Sequence, residues 1–280
     1  MKTFNKRILT GILPLLAVSM FLSSCYKKFD PADYAPQFTV NGFTSVSEIA
    51  TSNLSSYWAF DGALLDSVSK NGGVGTATSF VNGFKGQALQ GKLNGYALAD
   101  PPASLNSLSS FTISFWVNTP PPTTGIIGLF SLARTDGFWG NIEIFFENGS
   151  SNTDGKVRTH LYNGKDDREF PSNGVVNLFD KWINLTATYD GTTSNYKLYV
   201  NGSVVTNTTA SGFGPLKVVN PGKVVFGTAQ FMTTPSQTSG SGSQSWASFL
   251  TGQLDEVRIY NKVLAPEEVN ALVVLQGKGK

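Results

Sequence analysis

The clearest pattern in the chain is a series of short segments in which apolar and polar residues alternate. Phe111, Ile113, Phe115 and Val117 occupy every second position of one such segment. Because successive side chains of a strand point to opposite faces, this spacing predicts a strand whose four apolar residues face a core. Further strands are predicted by the apolar positions at 142–146, 183–189, 196–200, 223–227 and 252–260.

Turn residues lie between these segments. The pair Asn201-Gly202 joins two of them, and Asn-Gly tolerates the positive φ of a tight hairpin turn. Near the C terminus, Pro266 followed by two glutamates predicts a short helix over 265–272, because carboxylates stabilise the positive end of a helix dipole. Many short strands separated by turns predict an all-β fold, a two-sheet antiparallel sandwich with this one helix.

The N terminus has a different pattern. Three basic residues precede an apolar stretch over 8–22, and the sequence Leu-Ser-Ser-Cys ends at Cys25. This order is typical of a signal peptide over 1–24, with small residues at the cleavage site and a lipid-accepting thiol at Cys25. The alternative is a transmembrane anchor, but a span needs roughly 20 apolar residues and this stretch is shorter.

Composition agrees with an exported protein held together by its core. Cys25 is the only cysteine, so no disulfide can form within one chain. Without the three basic residues of the leader, the formal net charge of +2 becomes −1, which offers no electrostatic attraction for nucleic acid. Residues 26–52 show no clear period. We predict a lipidated tether over 25–53, one β domain over 54–275 and a tail over 276–280.

Four segments together resemble the laminin-G-like jelly-roll domains of the concanavalin A-like lectin/glucanase superfamily. They follow the family order as WAFDGALLDS at 58–67, FTISFWV at 111–117, KWINL to YVNG at 181–202 and GQLDEVRIYN at 252–261. The resemblance implies two antiparallel sheets of six or seven strands, one of them concave, with glycans or proteins bound at the concave face or the loops. Together with the Leu-Ser-Ser-Cys sequence that ends at Cys25, it implies a lipoprotein of the Bacteroidetes type.

The resemblance also implies a calcium ion in loops at one edge of the sandwich. Asp61 and Asp66 lie in the first loop and Asp255 lies in the closing strand, and Ca²⁺ prefers carboxylate and carbonyl oxygens. In the alternative interpretation Asp61 caps a turn, and Asp255 pairs with Arg258 or accepts a backbone hydrogen bond.

The candidate ligand contacts lie in loops. Arg134, Asp136, Trp139 and Asn141 combine charge, an aromatic ring and an amide within one glycine-containing segment, and Trp246 lies beside a Ser/Gly-rich loop. A ring can stack on a sugar while the polar groups bond its hydroxyls. The alternative is that these aromatic side chains close the end of the sandwich.

Trp116 presents a separate question. Alternation places it on the face opposite Phe115. Large outward aromatic side chains are commonly covered, so we expect other parts of the chain to cover Trp116. The alternative is an exposed ring that stacks on sugar.

Catalytic chemistry has little support. The Glu-x-Asp-x-Glu pattern of the related glucanases is absent, and Glu143 and Glu147 lie roughly 13 Å apart along a strand. A retaining carboxylate pair needs about 5–5.5 Å. His160 is the sole histidine, and there is no Gly-x-Ser-x-Gly motif. We therefore predict no catalytic residues.

The leading hypothesis is a lipid-anchored, non-catalytic module at the outer membrane that binds a polysaccharide or a glycoprotein glycan. One alternative is a structural or adhesion module that binds protein, and a weaker one is a glycoside hydrolase. The sequence leaves the oligomeric state open.

Overall fold

The computed structural model describes residues 37–280 as two β-sheets that pack face to face. The first sheet has eight strands, and β1 (Leu54–Trp58) pairs at its side with β16 (Gln253–Tyr260). The other seven are, in pairing order, β13 (Ser203–Thr209), β12 (Asn195–Val200), β11 (Ile183–Asp190), β6 (Phe111–Asn118), β16 (Gln253–Tyr260), β4 (Gln87–Gln90) and β3 (Ser79–Asn82).

The second sheet also has eight strands, and the short β15 (Ala247–Ser248) pairs with β7 in parallel. The others are, in pairing order, β10 (Asp167–Val175), β9 (Gly155–Tyr162), β8 (Ile142–Phe146), β7 (Ile126–Arg134), β14 (Pro221–Phe226), β5 (Tyr96–Ala99) and β2 (Gly73–Thr76). The predicted all-β sandwich is confirmed, with eight strands in each sheet rather than six or seven.

The core lies between the two sheets. Phe111, Ile113, Phe115 and Val117 are all buried in it, which confirms the inward face predicted for β6. Phe226 of β14 enters the core from the opposite sheet, where its ring meets the edges of other aromatic rings. Full burial of such a side chain contributes about 1.5–3 kcal/mol, so this interior can hold the sandwich without a disulfide.

The outer face of the first sheet is covered by chain from both ends of the domain. The C-terminal helix (Pro266–Gly277) packs there, and it begins at the predicted proline. Glu268 accepts the backbone N–H of Ala265 at 2.8 Å and so caps the first turn.

Part of the predicted tether belongs to this packed layer. Val46 and Ile49 are buried against Leu272 and Leu275 of the helix, beside the short 3-10 turns Val46–Glu48 and Thr51–Asn53. The packed layer therefore begins before residue 54, because the helix removes the apolar side chains of this segment from water. At the other end, the helix extends past residue 275 to Gly277.

Trp116 is covered, as expected from its position. Its indole is 6% exposed and stacks on Phe84 with the ring centroids 3.5 Å apart. The indole N–H donates to Oε1 of Gln276 at 2.9 Å. A turn and the C-terminal helix thus cover this ring together, which removes it as a sugar-stacking platform.

The predicted signal peptide and Cys25 lie outside the described residues. Over residues 37–280, no helix has the length and apolar character needed to cross a bilayer.

Candidate functional site

An aromatic cluster covers part of the outer face of the second sheet. The segment between β7 and β8 folds back over the sheet, so that Trp139 stacks on Phe145 with centroids 5.2 Å apart and planes within 5°. Trp139 also lies 4.2 Å from the ring of His160 on β9. The indole is therefore held against the sheet on one side while remaining partly exposed on the other.

Trp246 extends this cluster toward solvent. Its side chain is 43% exposed, and its ring lies 6.0 Å from Phe138 and 6.1 Å from Trp139 between centroids. Phe231 packs beneath all three rings. We call Phe138, Trp139 and Trp246 the aromatic surface.

Arg134 holds the loop that carries two of these rings. Its guanidinium lies 3.7 Å from the ring centroid of Tyr162 and bonds Oδ2 of Asp167 at 3.0 Å. Asp136 lies 3.7 Å from its Nε atom. The side chain of Arg134 is only 9% exposed, and these contacts fix the loop from within.

Asn141 also acts inside the protein. It is 1% exposed, and its amide N–H groups donate to the carbonyls of Ala133 and Val219. Its Oδ1 accepts the N–H of Val219 at 2.9 Å. Through these bonds Asn141 joins the segment after β7 to the segment before β14.

Asp136 remains at the surface. Its side chain is 56% exposed and accepts a hydrogen bond from the amide of Asn220 at 2.7 Å. Of the five predicted contacts, Asp136, Trp139 and Trp246 thus present surface to solvent.

A buried carboxyl group lies under the loop. Glu143 is 0% exposed, and its oxygens accept the backbone N–H groups of Gly140 at 2.9 Å and Gln230 at 3.3 Å. Burial raises the pKa of Glu143 to about 8. Gln230 in turn donates from its side chain to the carbonyl of Gly137 at 2.7 Å.

His160 continues the polar layer beside the aromatic surface. Its Nε2 lies 3.1 Å from Oε2 of Glu169, and Arg158 lies 3.4 Å from both Glu169 and Glu147. Burial lowers the pKa of His160, although the carboxylate of Glu169 acts in the opposite direction. The imidazole therefore serves as a flat support for Trp139 within an ion-pair network.

The three predicted calcium ligands lie in two places, with Asp61 and Asp255 at one turn and Asp66 beside β1. Asp61 accepts the N–H of Gln87 at 2.7 Å and Asp255 accepts the N–H of Lys85 at 3.0 Å, so both carboxylates bind the turn between β3 and β4. Burial raises the pKa of Asp255 to about 7. The chain thus brings Asp61 and Asp255 to one turn, as a jelly roll was expected to do.

Asp66 is not free to join them. It is fully buried, and its carboxylate accepts the N–H groups of Tyr57 and Val68 and the hydroxyl of Ser69. Within residues 37–280, no three His, Cys, Asp or Glu side chains are grouped to hold a metal ion. A calcium site would therefore depend on Asp61, Asp255 and backbone oxygens, and it stays a prediction.

The family follows from a direct match. A sequence model described as Laminin_G_3, of the concanavalin A-like lectin/glucanases superfamily, matches residues 90–270. The chain belongs to this family. No protein with a curated description matches it significantly.

Solved structures share this laminin-G-like fold at low identity. Domain 4 of AbnA, a GH43 extracellular arabinanase from Geobacillus stearothermophilus solved with arabinotriose, is 19% identical with a TM-score of 0.54, covering 79% of this chain and 98% of that one. The binding domain of Paraclostridial Mosquitocidal Protein 1 is 16% identical with a TM-score of 0.58, covering 80% and 52%.

A structure of botulinum neurotoxin type C, whose cell entry depends on interaction with two ganglioside molecules, is 14% identical with a TM-score of 0.59, covering 83% of this chain and 53% of that one. The present chain thus spans about half the length of the toxin chains it matches. At these identities the likeness shows the fold.

Sequence reasoning missed several residues that build the aromatic surface of this laminin-G-like domain. Phe145 and Phe231 support Trp139 from the sheet and from a distant segment. The alternation of β8 does place Phe145 opposite the core residues Ile144 and Phe146, and that signal could have found it. Phe231 carried no such signal, because it lies in the short 3-10 turn Gln230–Met232, which is too short to show a period.

Proposed function

We propose that this domain is a non-catalytic module that binds carbohydrate through its aromatic surface. The observation that carries the proposal is the arrangement of Trp139 and Trp246, two partly exposed indoles fixed 6.1 Å apart on the outer face of the second sheet. Flat rings held in place can stack on the C–H face of sugar rings with little loss of conformational freedom.

The loop beneath the rings supports this proposal because it is rigidly held. Arg134, Asn141 and Glu143 use their polar groups to fix the 135–141 segment rather than to reach solvent. Such a supporting layer keeps a binding surface preformed.

The related structures support the same class of ligand. The arabinanase domain was solved with arabinotriose, and the neurotoxin structure concerns ganglioside molecules. The proposal for this chain includes anchoring through a lipidated Cys25 at the outer membrane, where a weak binding module would hold a polymer near the cell.

The test is binding of the mature domain to a glycan array, followed by affinity measurements on the glycans that bind. Trp139→Ala and Trp246→Ala should each weaken binding about tenfold, equivalent to about 1.4 kcal/mol of lost stacking. Trp182→Ala is the matched control, since Trp182 is a partly exposed indole that contacts Phe84 on the other sheet.

Unchanged affinity in both variants would remove the aromatic surface as the binding site, and an array without any bound glycan would remove the function. A reducing-sugar assay on each bound polymer should detect no new chain ends. Their appearance would favour the glycoside hydrolase alternative.

A further inference from the structure

A cavity of about 420 Å³ lies beside the apolar cluster that supports the aromatic surface. Its walls come from the segments 93–96, 232–234 and 243–249. Trp246 does not line the cavity, but the lining residues Tyr96, Met232 and Phe249 belong to the same apolar cluster as Phe231, which packs beneath the aromatic surface. The cavity volume lies within the range of small-molecule sites, roughly 300–1,000 Å³, and suits a single sugar unit or a disaccharide.

The walls of the cavity are bonded to one another. The hydroxyl of Tyr96 donates to the carbonyl of Thr234 at 2.9 Å and accepts its N–H at 3.0 Å. The sulfur of Met232 accepts the N–H of Gln244 at 3.3 Å. Because these bonds join all three segments, the cavity is formed before any ligand arrives and binding requires little ordering of loops.

The lining combines apolar and polar side chains. Tyr96, Met232 and Phe249 are its buried members, at 5%, 7% and 8% exposure. Leu93 stands at its edge with 64% of its side chain exposed. The exposed side chain of Leu93 thus offers an apolar contact to the C–H face of a sugar ring.

The rim is polar and uncharged. Asn94, Thr234 and Ser245 are exposed there and carry an amide and two hydroxyl groups. None of the described residues that line the cavity is Asp, Glu, Lys, Arg or His. A carboxylate or sulfate on the ligand would lose hydration here without an opposite charge in the lining, which costs far more than losing the hydration of a hydroxyl.

We propose that this cavity binds one uncharged sugar unit of the glycan and thereby selects neutral over anionic glycans. The inference rests on the proposed function and adds a second contact area to it. In this arrangement the aromatic surface stacks on sugar rings of the glycan, and the cavity determines which sugar unit is accepted.

The experiment measures affinity of the mature domain for an array of neutral oligosaccharides and their uronic acid counterparts. Bound glycans are then competed with glucose against glucuronic acid and with galactose against galacturonic acid. Two cavity variants are used. Leu93→Ser removes an apolar contact, and Asn94→Gly removes the amide while suiting the positive φ of 62° at this position.

Leu65→Ser is the control, because Leu65 is 43% exposed in a loop that does not line the cavity. We expect each cavity variant to weaken neutral glycan binding about three- to tenfold, the range of one lost hydrogen bond or contact. Only the neutral sugar of each pair should compete.

The outcomes separate the two proposals. Glycans that depend on Trp139 but bind equally well to both cavity variants would overturn the cavity inference and leave the proposed function standing. Preferential binding of the uronic acid members would also overturn the cavity inference. An array on which nothing binds removes both.

Discussion

Phe84 lies flat on Trp116, with the two ring planes within 11° of each other. The contact joins the turn between β3 and β4 to the central strand of the first sheet. Asp255 accepts the N–H of Lys85, next to Phe84, so this carboxylate holds the turn in the position that covers the indole. Asp255, one of the predicted calcium ligands, thus helps to hold the turn that covers Trp116.

Replacing Phe84 by Ala should destabilise the domain by about 1–3 kcal/mol, because the ring is partly buried and its loss exposes Trp116. Urea unfolding monitored by circular dichroism measures the change, and a red shift of the indole fluorescence should accompany it. Val74→Ala, at a side chain that is 68% exposed, should change stability by less than about 0.5 kcal/mol. Equal effects of the two substitutions would show that the stack contributes nothing.

A calcium ion near Asp61 and Asp255 would be detected by its effect on thermal stability. If the ion is structural, EDTA should lower the melting temperature of the wild-type domain, since a ligand that binds only the folded state stabilises it. In Asp255→Ala the melting temperature should be lower at the outset and insensitive to EDTA. A wild-type domain that melts at the same temperature with and without EDTA would leave Asp255 as a cap of the 83–87 turn only.

Glu143 should make stability fall as the pH rises. Its pKa in the folded domain is about 8, well above the ordinary value of a glutamate. Between those values the folded state keeps a proton that the unfolded state has lost, so the free energy of unfolding decreases with increasing pH. Glu143→Gln should flatten this dependence. The effect should be clearest between pH 7 and pH 8, because below pH 7 the buried Asp255, whose pKa is about 7, contributes a similar dependence of its own.

Urea unfolding at a series of pH values from 5 to 8 provides the measurement. Asp136→Asn is the control, since Asp136 lies in the same loop with its side chain 56% exposed. The control should retain the wild-type slope. A Glu143→Gln domain with that same slope would contradict the assignment.

The sequence predicts which face of a strand a side chain occupies much better than it predicts contacts between distant segments. The two-residue period of β6 identified its four core residues, since that period depends only on local backbone geometry. The partner that covers Trp116 is Phe84, in a turn distant along the chain, and no local pattern marks it. The burial of Ile49 against the C-terminal helix was missed for the same reason.

In the candidate site, too, the sequence predicts local features but not contacts between distant segments. Trp139 and Trp246 attract attention as loop aromatics, and the structure does bring their rings together. Arg134 and Asn141 have equally suitable chemistry, yet both are buried and form hydrogen bonds with residues of other segments. Whether a polar side chain is free depends on those distant partners, which spacing along the chain does not reveal.

Lipidation at Cys25 is tested on the full-length chain, because the prediction rests on the order of basic, apolar and small residues before this cysteine. Cys25→Ser removes the thiol that would accept the lipid and should move the protein from the detergent phase to the aqueous phase in a phase-partition experiment. Ser24→Ala keeps a small residue at the cleavage site and should leave the partition unchanged. Incorporation of labelled palmitate should be lost in the first variant and kept in the second. Because the chain has no other cysteine, label retained by Cys25→Ser would mean that a different group carries the lipid, and detergent-phase partition without label would favour an uncleaved apolar anchor instead.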